Sequence, residues 1–300
     1  MKLLSNKMIF KGFRGRLILA VSILLFANLV ILGYFLFISP GSDGELRVIF
    51  FDISQGDSAL IQTPRRQNIL IDGGPDRSLI FKLDKYIPLT ARKIDLMILT
   101  HPDPDHLYGF VEVLRHWQVG KVAYTGTDDN YPFYLEWLKL IKEKEIPTMI
   151  ITRPQILRLG DEIFLEFLWP IENLKGKSFR DNNPTSIVNK LVFNKVKFLF
   201  TGDIDKGVES KLIELGADLK ADVLKVGHHG SKYSSGLEFL KKVGAFYGVI
   251  SVGKDNTFGH PSFRVLKNLK EAGYDVLRTD EMGDIIFITD GEKLKLKQEK

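Results

Sequence analysis

The stretch that decides the fold reads Thr100-His101-Pro102-Asp103-Pro104-Asp105-His106. It follows Leu96-Met97-Ile98-Leu99, an apolar run that predicts a buried strand. Two imidazoles and two carboxylates therefore lie on a short loop at a strand end, and the two prolines stiffen this loop. Crowded carboxylates repel one another unless a cation lies among them, so the loop predicts a metal site. A polar surface turn is the alternative, because Pro-Asp favours turns, but a turn requires neither histidine.

Two further polar clusters follow apolar strands. In Thr201-Gly202-Asp203 the glycine permits a sharp turn that presents Asp203 at the strand end. Capping of the helix that begins near Asp205 is the alternative role for Asp203. His228 and His229 follow the strand predicted at 223–226, where adjacent histidines are hard to explain by core packing. Five of the six histidines of the chain fall in three strand-end clusters, and this concentration favours a metal site.

The third histidine cluster is Phe258-Gly259-His260-Pro261-Ser262. We expect His260 to open a helix with Pro261 in its first turn, where proline is favourable. A neutral histidine at a helix N-terminus suits phosphate contact or proton donation. A simple turn residue is the alternative reading of His260.

The 100–106 loop resembles the His-x-His-x-Asp-His signature of the metallo-β-lactamase superfamily, with Asp103 in place of the second histidine. This variant is typical of the hydrolase domain attached to the ComEC DNA-uptake channel and of its stand-alone relatives. The resemblance extends from about Leu46 to Leu296. Other matching segments occur in the family's order at 51–58, 71–74, 201–203, 223–231, 258–262 and 277–285. No multi-span channel accompanies them, so we expect the hydrolase part alone, tethered by one helix.

The order of predicted elements agrees with the fold that this resemblance implies. Two runs of strands interspersed with helices favour an α/β (α+β) fold with helices outside two sheets. The resemblance implies a four-layer αββα sandwich, the metallo-β-lactamase architecture. We expect one N-terminal transmembrane helix to precede it.

The resemblance also implies two divalent metal ions, Zn or Mn. The implied ligands are His101, Asp103 and the shared Asp203 at one position, and Asp105, His106, His229 and Asp203 at the other. Two metals can hold a hydroxide between them and clamp both oxygens of a displacement. An aspartate in place of a histidine hardens the first position, which tolerates manganese better than a histidine-rich site does.

The catalytic candidates are Asp105, His228 and His260. Either His228 or His260 could protonate the leaving oxygen. The sequence leaves His228 and His229 exchangeable as the ligand, and the family pattern places the second histidine on the metal.

Two supporting positions are also expected. Most superfamily members have another metal histidine near 182–186, where this chain has Asn183 and Ser186, which resemble the Asn-x-x-Ser pattern of ComEC-type domains. Asp57 is expected to contact and orient a metal ligand without binding the metal itself.

The N-terminal region predicts a membrane anchor. Residues 1–16 contain five positive charges and no acid, and 17–38 contain no charge over about 33 Å of helix. The positive-inside rule places 1–16 in the cytoplasm and the chain after Ser39 outside. A cleaved signal peptide is the alternative, although the apolar run is long and lacks a clear cleavage site. Residues 39–45 then form a linker, and 46–300 form the hydrolase domain.

Charge and cysteine content limit the classes of partner and of metal site that the chain can have. The chain has 42 Lys and Arg against 37 Asp and Glu, so without the five charges of residues 1–16 the two signs are equal. Bulk charge therefore gives no support for a polyanion partner. The absence of cysteine excludes disulfides and a cysteine-zinc site.

These observations predict a metal-dependent hydrolase of the cytoplasmic membrane with an extracytoplasmic catalytic domain. The expected reaction is that of a phosphodiesterase or nuclease using a metal-bound hydroxide. Its partners are a phosphodiester substrate, DNA among the candidates, and the membrane, with no protein partner indicated. Hydrolysis of another phosphoester, such as a cell-surface choline-phosphate group, is one alternative. A degenerate binding module is another, which the full ligand set disfavours.

Overall fold

The computed structural model describes residues 20–30 and 44–297. The chain divides into two units, Met1–Ser42 and Asp43–Lys300, and residues 20–30 of the first are helical (α1). Among the described residues, no helix combines the length and apolarity that a bilayer crossing requires. Residues 1–19 and 31–43, with most of the predicted anchor and linker, lie outside the described residues, so the anchor stays a prediction.

A large sheet forms one half of the second unit. Its eight strands are β1 (Leu46–Phe50), β2 (Ala59–Gln62), β3 (Asn68–Ile71), β5 (Leu96–Ile98), β7 (Val122–Tyr124), β8 (Thr148–Ile150), β16 (Ile285–Thr289) and β17 (Leu294–Lys297). Their order is β17-β16-β1-β2-β3-β5-β7-β8. Two short strands, β4 (Lys93–Ile94) and β6 (Gln118–Val119), pair separately beside it. β3, β5, β7 and β8 are parallel, so the loops after them leave at one edge.

A second sheet forms the other half. Its seven strands are β9 (Gln155–Gly160), β10 (Ile163–Trp169), β11 (Val188–Phe193), β12 (Val196–Phe200), β13 (Val223–Lys225), β14 (Tyr247–Ile250) and β15 (Asp275–Arg278). Their order is β15-β14-β13-β12-β11-β10-β9. β12 to β15 run parallel, so the loops after β12, β13 and β14 also share one edge.

Helices cover the outer faces of both sheets. They are α2 (Ser78–Tyr86), α3 (Pro104–His116), α4 (Pro132–Glu143), α5 (Lys206–Glu214), α6 (Leu237–Val243), α7 (Phe263–Glu271) and α8 (Thr279–Met282). Short 3₁₀ turns occur at Leu89–Ala91, Asn183–Thr185 and Gly227–Gly230.

Strand alternation produces three separate apolar layers. Phe50 points between the sheets, where its ring centroid lies 5.7 Å from that of Phe200 on β12. Its neighbour Ile49 points outward into the core beneath α2, α3 and α4. On the second sheet Leu199, next to Phe200, points outward into the core beneath α5, α6 and α7. Adjacent residues face opposite sides of a strand, so these cores establish the helix–sheet–sheet–helix order predicted from the sequence.

Some predicted boundaries are wrong. Strand β9 and helix α8 were not anticipated, because an edge strand and a four-residue helix leave little pattern in the sequence. His260 does not open a helix: α7 begins at Phe263, and Ser262 caps it by accepting a hydrogen bond from the Val265 amide. A serine hydroxyl supplies the acceptor that this position needs, so the helix begins later than predicted.

A contact between two glycine segments fixes α3 against the large sheet. The Gly109 amide donates to the Gly74 carbonyl at 3.2 Å, and the Gly73 amide donates to the His106 carbonyl at 2.6 Å. A Cβ atom on Gly109 would lie 2.0 Å from the Gly73 carbonyl oxygen. The absence of a side chain therefore lets the first turn of α3, with Asp105 and His106, approach the end of β3.

We predict that Gly109→Ala destabilises the protein, although alanine is the better helix former by about 1 kcal/mol. Relief of the backbone clash must displace α3, which should lower the free energy of unfolding by about 1–3 kcal/mol. Urea denaturation measures this change. His116→Ala on the same helix is the control, since its side chain is more than half exposed, and it should change stability by less than about 0.5 kcal/mol. A Gly109→Ala variant as stable as the parent would show that this contact does not constrain α3.

Candidate metal centre

The loop that follows β5 is held by the carboxylate of Asp72, at the end of β3. One oxygen of Asp72 accepts from the Thr100 amide at 2.8 Å, and the other accepts from the Thr100 hydroxyl at 2.8 Å. The second oxygen also lies 2.9 Å from His106 Nδ1. A carboxylate accepts hydrogen bonds, so Nδ1 of His106 bears the proton and Nε2 presents a lone pair.

His101 is also oriented by hydrogen-bonding contacts to its Nδ1 atom. Its Nδ1 lies 3.0 Å from the Thr100 hydroxyl and 3.2 Å from the Ser186 hydroxyl. The Thr100 hydroxyl donates its hydrogen to Asp72, so its oxygen accepts a hydrogen bond from His101 Nδ1. The Nε2 lone pair of His101 therefore points away from these contacts, 3.7 Å from Asp103 Oδ2.

His229 is oriented from the second sheet. Its Nδ1 lies 3.0 Å from the carbonyl oxygen of Ser251, an atom that only accepts hydrogen bonds. Its Nε2 lies 3.1 Å from Asp105 Oδ2 and 3.4 Å from Asp203 Oδ2. Three histidines from two sheets thus present the same ring nitrogen to one small volume.

Asp203 lies at the centre of this volume. Its Oδ2 is 3.4 Å from His106 Nε2 and 3.4 Å from His229 Nε2. Its amide donates to the Ser186 hydroxyl at 3.1 Å. The cap of α5 is Asp205, whose side chain accepts from the Val208 amide, so the capping role considered for Asp203 is wrong.

The buried lone pairs of this cluster fit a bound cation. Among the described residues, His101 Nε2, His106 Nε2 and Asp203 Oδ1 are buried and make no hydrogen bond. Ligand atoms within 4.8 Å of one another occur in three groups: His101, His106 and Asp203; Asp105, His106 and His229; and Asp57, Asp72 and His106. Imidazole nitrogens with carboxylate oxygens suit Zn and Mn. Because unpaired buried polar atoms are costly, a divalent ion at this cluster would relieve that cost.

Strong ion pairing dominates the electrostatics of the centre. Burial lowers the pKa of His106, but Asp203, Asp72 and Asp105 outweigh it and raise that pKa well above its ordinary value. The pKa of His229 is likewise raised, by Asp203 and Asp57 against burial. Burial raises the pKa of Asp203, yet His106 and His229 hold it well below its usual range. A cation bound by these histidines would therefore compete with their protonation.

The two loop aspartates differ in their surroundings. Asp105 contacts His229. Burial raises the pKa of Asp105, but His106 and His229 outweigh burial, so the net pKa of Asp105 is lowered. Asp103 is the N-cap of α3, but its side chain makes no capping hydrogen bond. Its Oδ1 accepts instead from Asn182 Nδ2 at 3.1 Å, and Asp103 is in none of the three groups of close ligand atoms.

The segment 182–186 contacts the centre through residues that differ in part from those predicted. Ser186 contacts His101 and Asp203, in agreement with its predicted position. Asn182, rather than Asn183, reaches Asp103, and it also donates to Asp129 Oδ2 at 2.8 Å. The 3₁₀ turn at 183–185 directs the two neighbouring side chains differently, which the sequence pattern does not reveal.

His228 and His229 occupy strained backbone conformations. Their φ angles are 50° and 52°, in the left-handed region that side chains with a Cβ rarely adopt. The His229 side chain is 2% exposed and contacts three carboxylates, whereas His228 is 24% exposed with Nε2 3.9 Å from Asp203 Oδ2. This geometry agrees with the family pattern, in which His229 is the ligand and His228 faces the substrate.

His260 lies beside this turn at the edge of the centre. Its ring centroid is 5.6 Å from that of His228 and 6.3 Å from that of His229. Burial, followed by the charges of His229 and His228, lowers the pKa of His260 to about 4. Burial also lowers the pKa of His228. Both rim histidines are therefore neutral at pH 7.

Several contacts of the centre were not predicted. Lys225 Nζ, buried at the end of β13, lies 2.7 Å from Asp57 Oδ2, and Asp57 Oδ1 lies 3.2 Å from His229 Nδ1. Asp57 thus lies where we expected a residue that orients a ligand. Thr100, Asn182, Lys225 and Asp72 all lie in segments that the sequence analysis names, but the sequence assigned none of them a role.

Residues 52–254 match the Metallo-beta-lactamase superfamily. The chain belongs to this superfamily. ComE operon protein 3 of Bacillus subtilis (strain 168) is 32% identical over 271 residues, 85% of this chain and 34% of that protein. Competence protein ComA of Neisseria gonorrhoeae is 30% identical over 246 residues, 82% of this chain and 32% of that protein. This metallo-β-lactamase chain thus spans about a third of the length of these relatives, and the resemblance stated from its motifs is confirmed.

Solved structures show the same fold. The metallo-beta-lactamase fold protein YhfI from Bacillus subtilis has a TM-score of 0.55 at 15% identity, over 82% of this chain and 100% of YhfI. A long form RNase Z from yeast has a TM-score of 0.53 at 15% identity, over 85% of this chain and 43% of the RNase Z. The predicted metallo-β-lactamase fold is confirmed. It is generally the fold of metal-dependent hydrolases, and the His and Asp clusters of this member can bind metal.

We predict that Asp203→Ala removes more bound metal than either His101→Ala or His229→Ala, because Asp203 lies close to His101 and His106 and also contacts His229. Metal analysis of the purified, dialysed proteins measures this, and thermal unfolding checks that each variant is folded. His116→Ala, on the surface of α3, is the control and should keep the metal content of the parent. A normal metal content in Asp203→Ala would contradict a two-metal centre organised by this carboxylate.

Proposed function

We propose that the protein is a metal-dependent phosphodiesterase that cleaves nucleic acid strands, DNA in particular. The observation that carries this proposal is the arrangement of three oriented histidines around Asp203, with further carboxylates at both sides. His101 and Asp203, with Asp103 Oδ2 3.7 Å from His101 Nε2, would hold one divalent cation. Asp105, His106 and His229, with Asp203, would hold the other. The similarity to two competence proteins supports DNA as the substrate.

The chemistry needs a rigid ligand set. With divalent cations bound, the centre has a source of nucleophile at neutral pH and of positive charge for the phosphoryl oxygens. Asp72, Thr100 and the Ser251 carbonyl hold the three imidazole rings by their Nδ1 atoms. Such contacts behind the ligands fix the ring orientation and raise ligand basicity. The buried Lys225 and Asp57 pair supports His229 from the same side.

The rim histidines act on the substrate. His228 and His260 are neutral at pH 7, so each can donate one hydrogen bond from a ring N–H while the other nitrogen accepts. A neutral imidazole that donates to a phosphoryl or leaving oxygen fits the lowered pKa of each better than delivery of a proton does.

One substrate screen tests the proposed function. The full chain is stripped of metal, reloaded with Mn²⁺ or Zn²⁺, and offered single-stranded DNA, duplex DNA, RNA, bis-p-nitrophenyl phosphate and p-nitrophenyl phosphorylcholine. We expect metal-dependent cleavage of DNA and of bis-p-nitrophenyl phosphate, with Asp203→Ala inactive. Turnover of the phosphorylcholine ester alone would replace this function by hydrolysis of a choline-phosphate group. No turnover of any substrate would favour a binding module.

We propose further that residues 46–300 lie outside the cytoplasmic membrane, tethered by a helix within residues 17–38. The five positive charges of residues 1–16 and the uncharged run after them support this orientation. Protease added to intact cells should then digest the catalytic domain. Complete protection until the cells are lysed would place the domain inside.

We predict different phenotypes for the two adjacent histidines. His228→Ala should keep its metal and lower turnover of DNA by about 10²–10³-fold, because one hydrogen-bond donor to the reacting group is lost. The loss should be smaller on a nitrophenyl ester, whose leaving group needs less stabilisation. His229→Ala should lose metal and activity on both substrates.

Metal analysis and steady-state kinetics on the same preparations separate the two effects, with His116→Ala as the control. Exchange of the two phenotypes would reverse the assignment of ligand and rim residue. Full metal and full activity in both variants would exclude the 227–230 turn from the site.

A further inference from the structure

A ladder of three rings leads outward from the metal centre. The ring of His260 lies 6.3 Å from that of His229 with an angle of 27° between their planes. The ring of Phe258 lies 5.9 Å from that of His260, with an angle of 23° between their planes. His229 is buried, His260 is half-buried, and Phe258 is 69% exposed. The outermost ring of the ladder therefore presents a free face beside the site.

The loop that carries Phe258 is held in a defined shape. Asn256 Oδ1 accepts from the amides of Phe258 at 3.2 Å and His260 at 3.0 Å. Asn256 Nδ2 donates to the carbonyls of Gly253 at 3.0 Å and His260 at 2.7 Å. Asp255 has a φ of 57°, in the left-handed region that an aspartate tolerates better than most residues.

The base of this loop is anchored beside the active-site strands. The Gly253 amide donates to Gln55 Oε1 at 3.2 Å, and a Cβ on Gly253 would lie 2.6 Å from the Gln55 backbone nitrogen. Isolated exposed apolar residues are ordinary on protein surfaces. Phe258 differs because hydrogen bonds hold the backbone of its loop and its ring lies beside His260, a histidine of the site.

We propose that Phe258 is a stacking subsite for the nucleobase next to the scissile phosphodiester; this inference rests on the function proposed above. Every nucleobase has a flat π-face, and aromatic side chains bind bases by stacking without reading their hydrogen-bonding edges. The ladder places this flat face two rings from the ligand His229. A substrate whose phosphate lies at the metal centre can then place an adjoining base on Phe258.

A quaternary ammonium group fits this subsite less well. Recognition of such cations uses cages in which several aromatic faces surround one point. Among the described residues, the ring of Phe258 neighbours one other ring, that of His260, at 5.9 Å and 23°. A single exposed flat face matches a base better than a methylated ammonium.

Substitution of Phe258 tests the subsite in the metal-loaded full chain. The substrates are dithymidine phosphate, d(TpT), and two analogues in which an abasic tetrahydrofuran residue replaces the 5′ or the 3′ nucleoside. We expect Phe258→Leu to raise KM for d(TpT) about 5- to 150-fold with kcat little changed, since one stacked base contributes about 1–3 kcal/mol. The effect should vanish on one abasic analogue, the one that lacks the stacked base. Phe258→Trp should restore the KM of the parent.

Phe246→Leu is the matched control. Phe246 is 62% exposed but precedes β14, at the strand end opposite to Ser251 and the Phe258 loop. It should leave KM unchanged on all three substrates. An unchanged KM in Phe258→Leu, or an equal effect on both abasic analogues, would overturn the subsite.

A binding measurement separates this inference from the proposed function. Isothermal titration of the same proteins with a non-hydrolysable methylene phosphonate analogue of d(TpT) should show a Kd that rises 5- to 150-fold in Phe258→Leu. Binding that depends on Phe258 without any hydrolysis would overturn the phosphodiesterase and keep the subsite. Hydrolysis with Kd and KM independent of Phe258 would overturn the subsite and keep the phosphodiesterase. A Phe258 effect confined to phosphorylcholine substrates would assign the face to a quaternary ammonium group.

Discussion

The carboxylate of Asp72 accepts hydrogen bonds from the Thr100 amide, the Thr100 hydroxyl and His106 Nδ1, and the rest of the centre depends on these contacts. They pull the loop after β5 against the end of β3. They also orient two histidines. Asp72 accepts from His106 Nδ1 and Thr100 accepts from His101 Nδ1, so the Nε2 atom of each ring faces the candidate metal centre. Asp72 itself has a φ of 58°, which an aspartate tolerates better than most residues.

The rest of the architecture brings distant side chains to this anchor. The large sheet contributes His101 and His106, and the second sheet contributes Asp203 and His229 from the loops after β12 and β13. The parallel strands of each sheet release these loops at one edge, and the apolar layer between the sheets holds the two edges together. The close approach of Gly109 to Gly73 sets the position of α3 and of the ligands in its first turn.

Stability is given up locally for this arrangement. Buried lone pairs without hydrogen bonds, left-handed φ angles at His228 and His229, and carboxylates packed around Asp203 are each unfavourable in isolation. Positive charge on histidine offsets part of the repulsion among these carboxylates, since neighbouring aspartates raise the pKa values of His106 and His229. The surrounding cores are apolar and continuous, so the strain stays confined to the site.

The sequence by itself determined the strand-end loops, their ligand types and the fold class, because strand periodicity and the 100–106 motif are local properties of the chain. The tertiary structure alone decided which side chains meet. It selected Asn182 over Asn183, placed Lys225 behind Asp57, and separated His229 from His228 by the backbone of a 3₁₀ turn. It also placed the start of α7 after His260, whose ring lies near those of His229 and Phe258. These outcomes depend on contacts between residues far apart in the chain and on left-handed backbone conformations, neither of which a local pattern encodes.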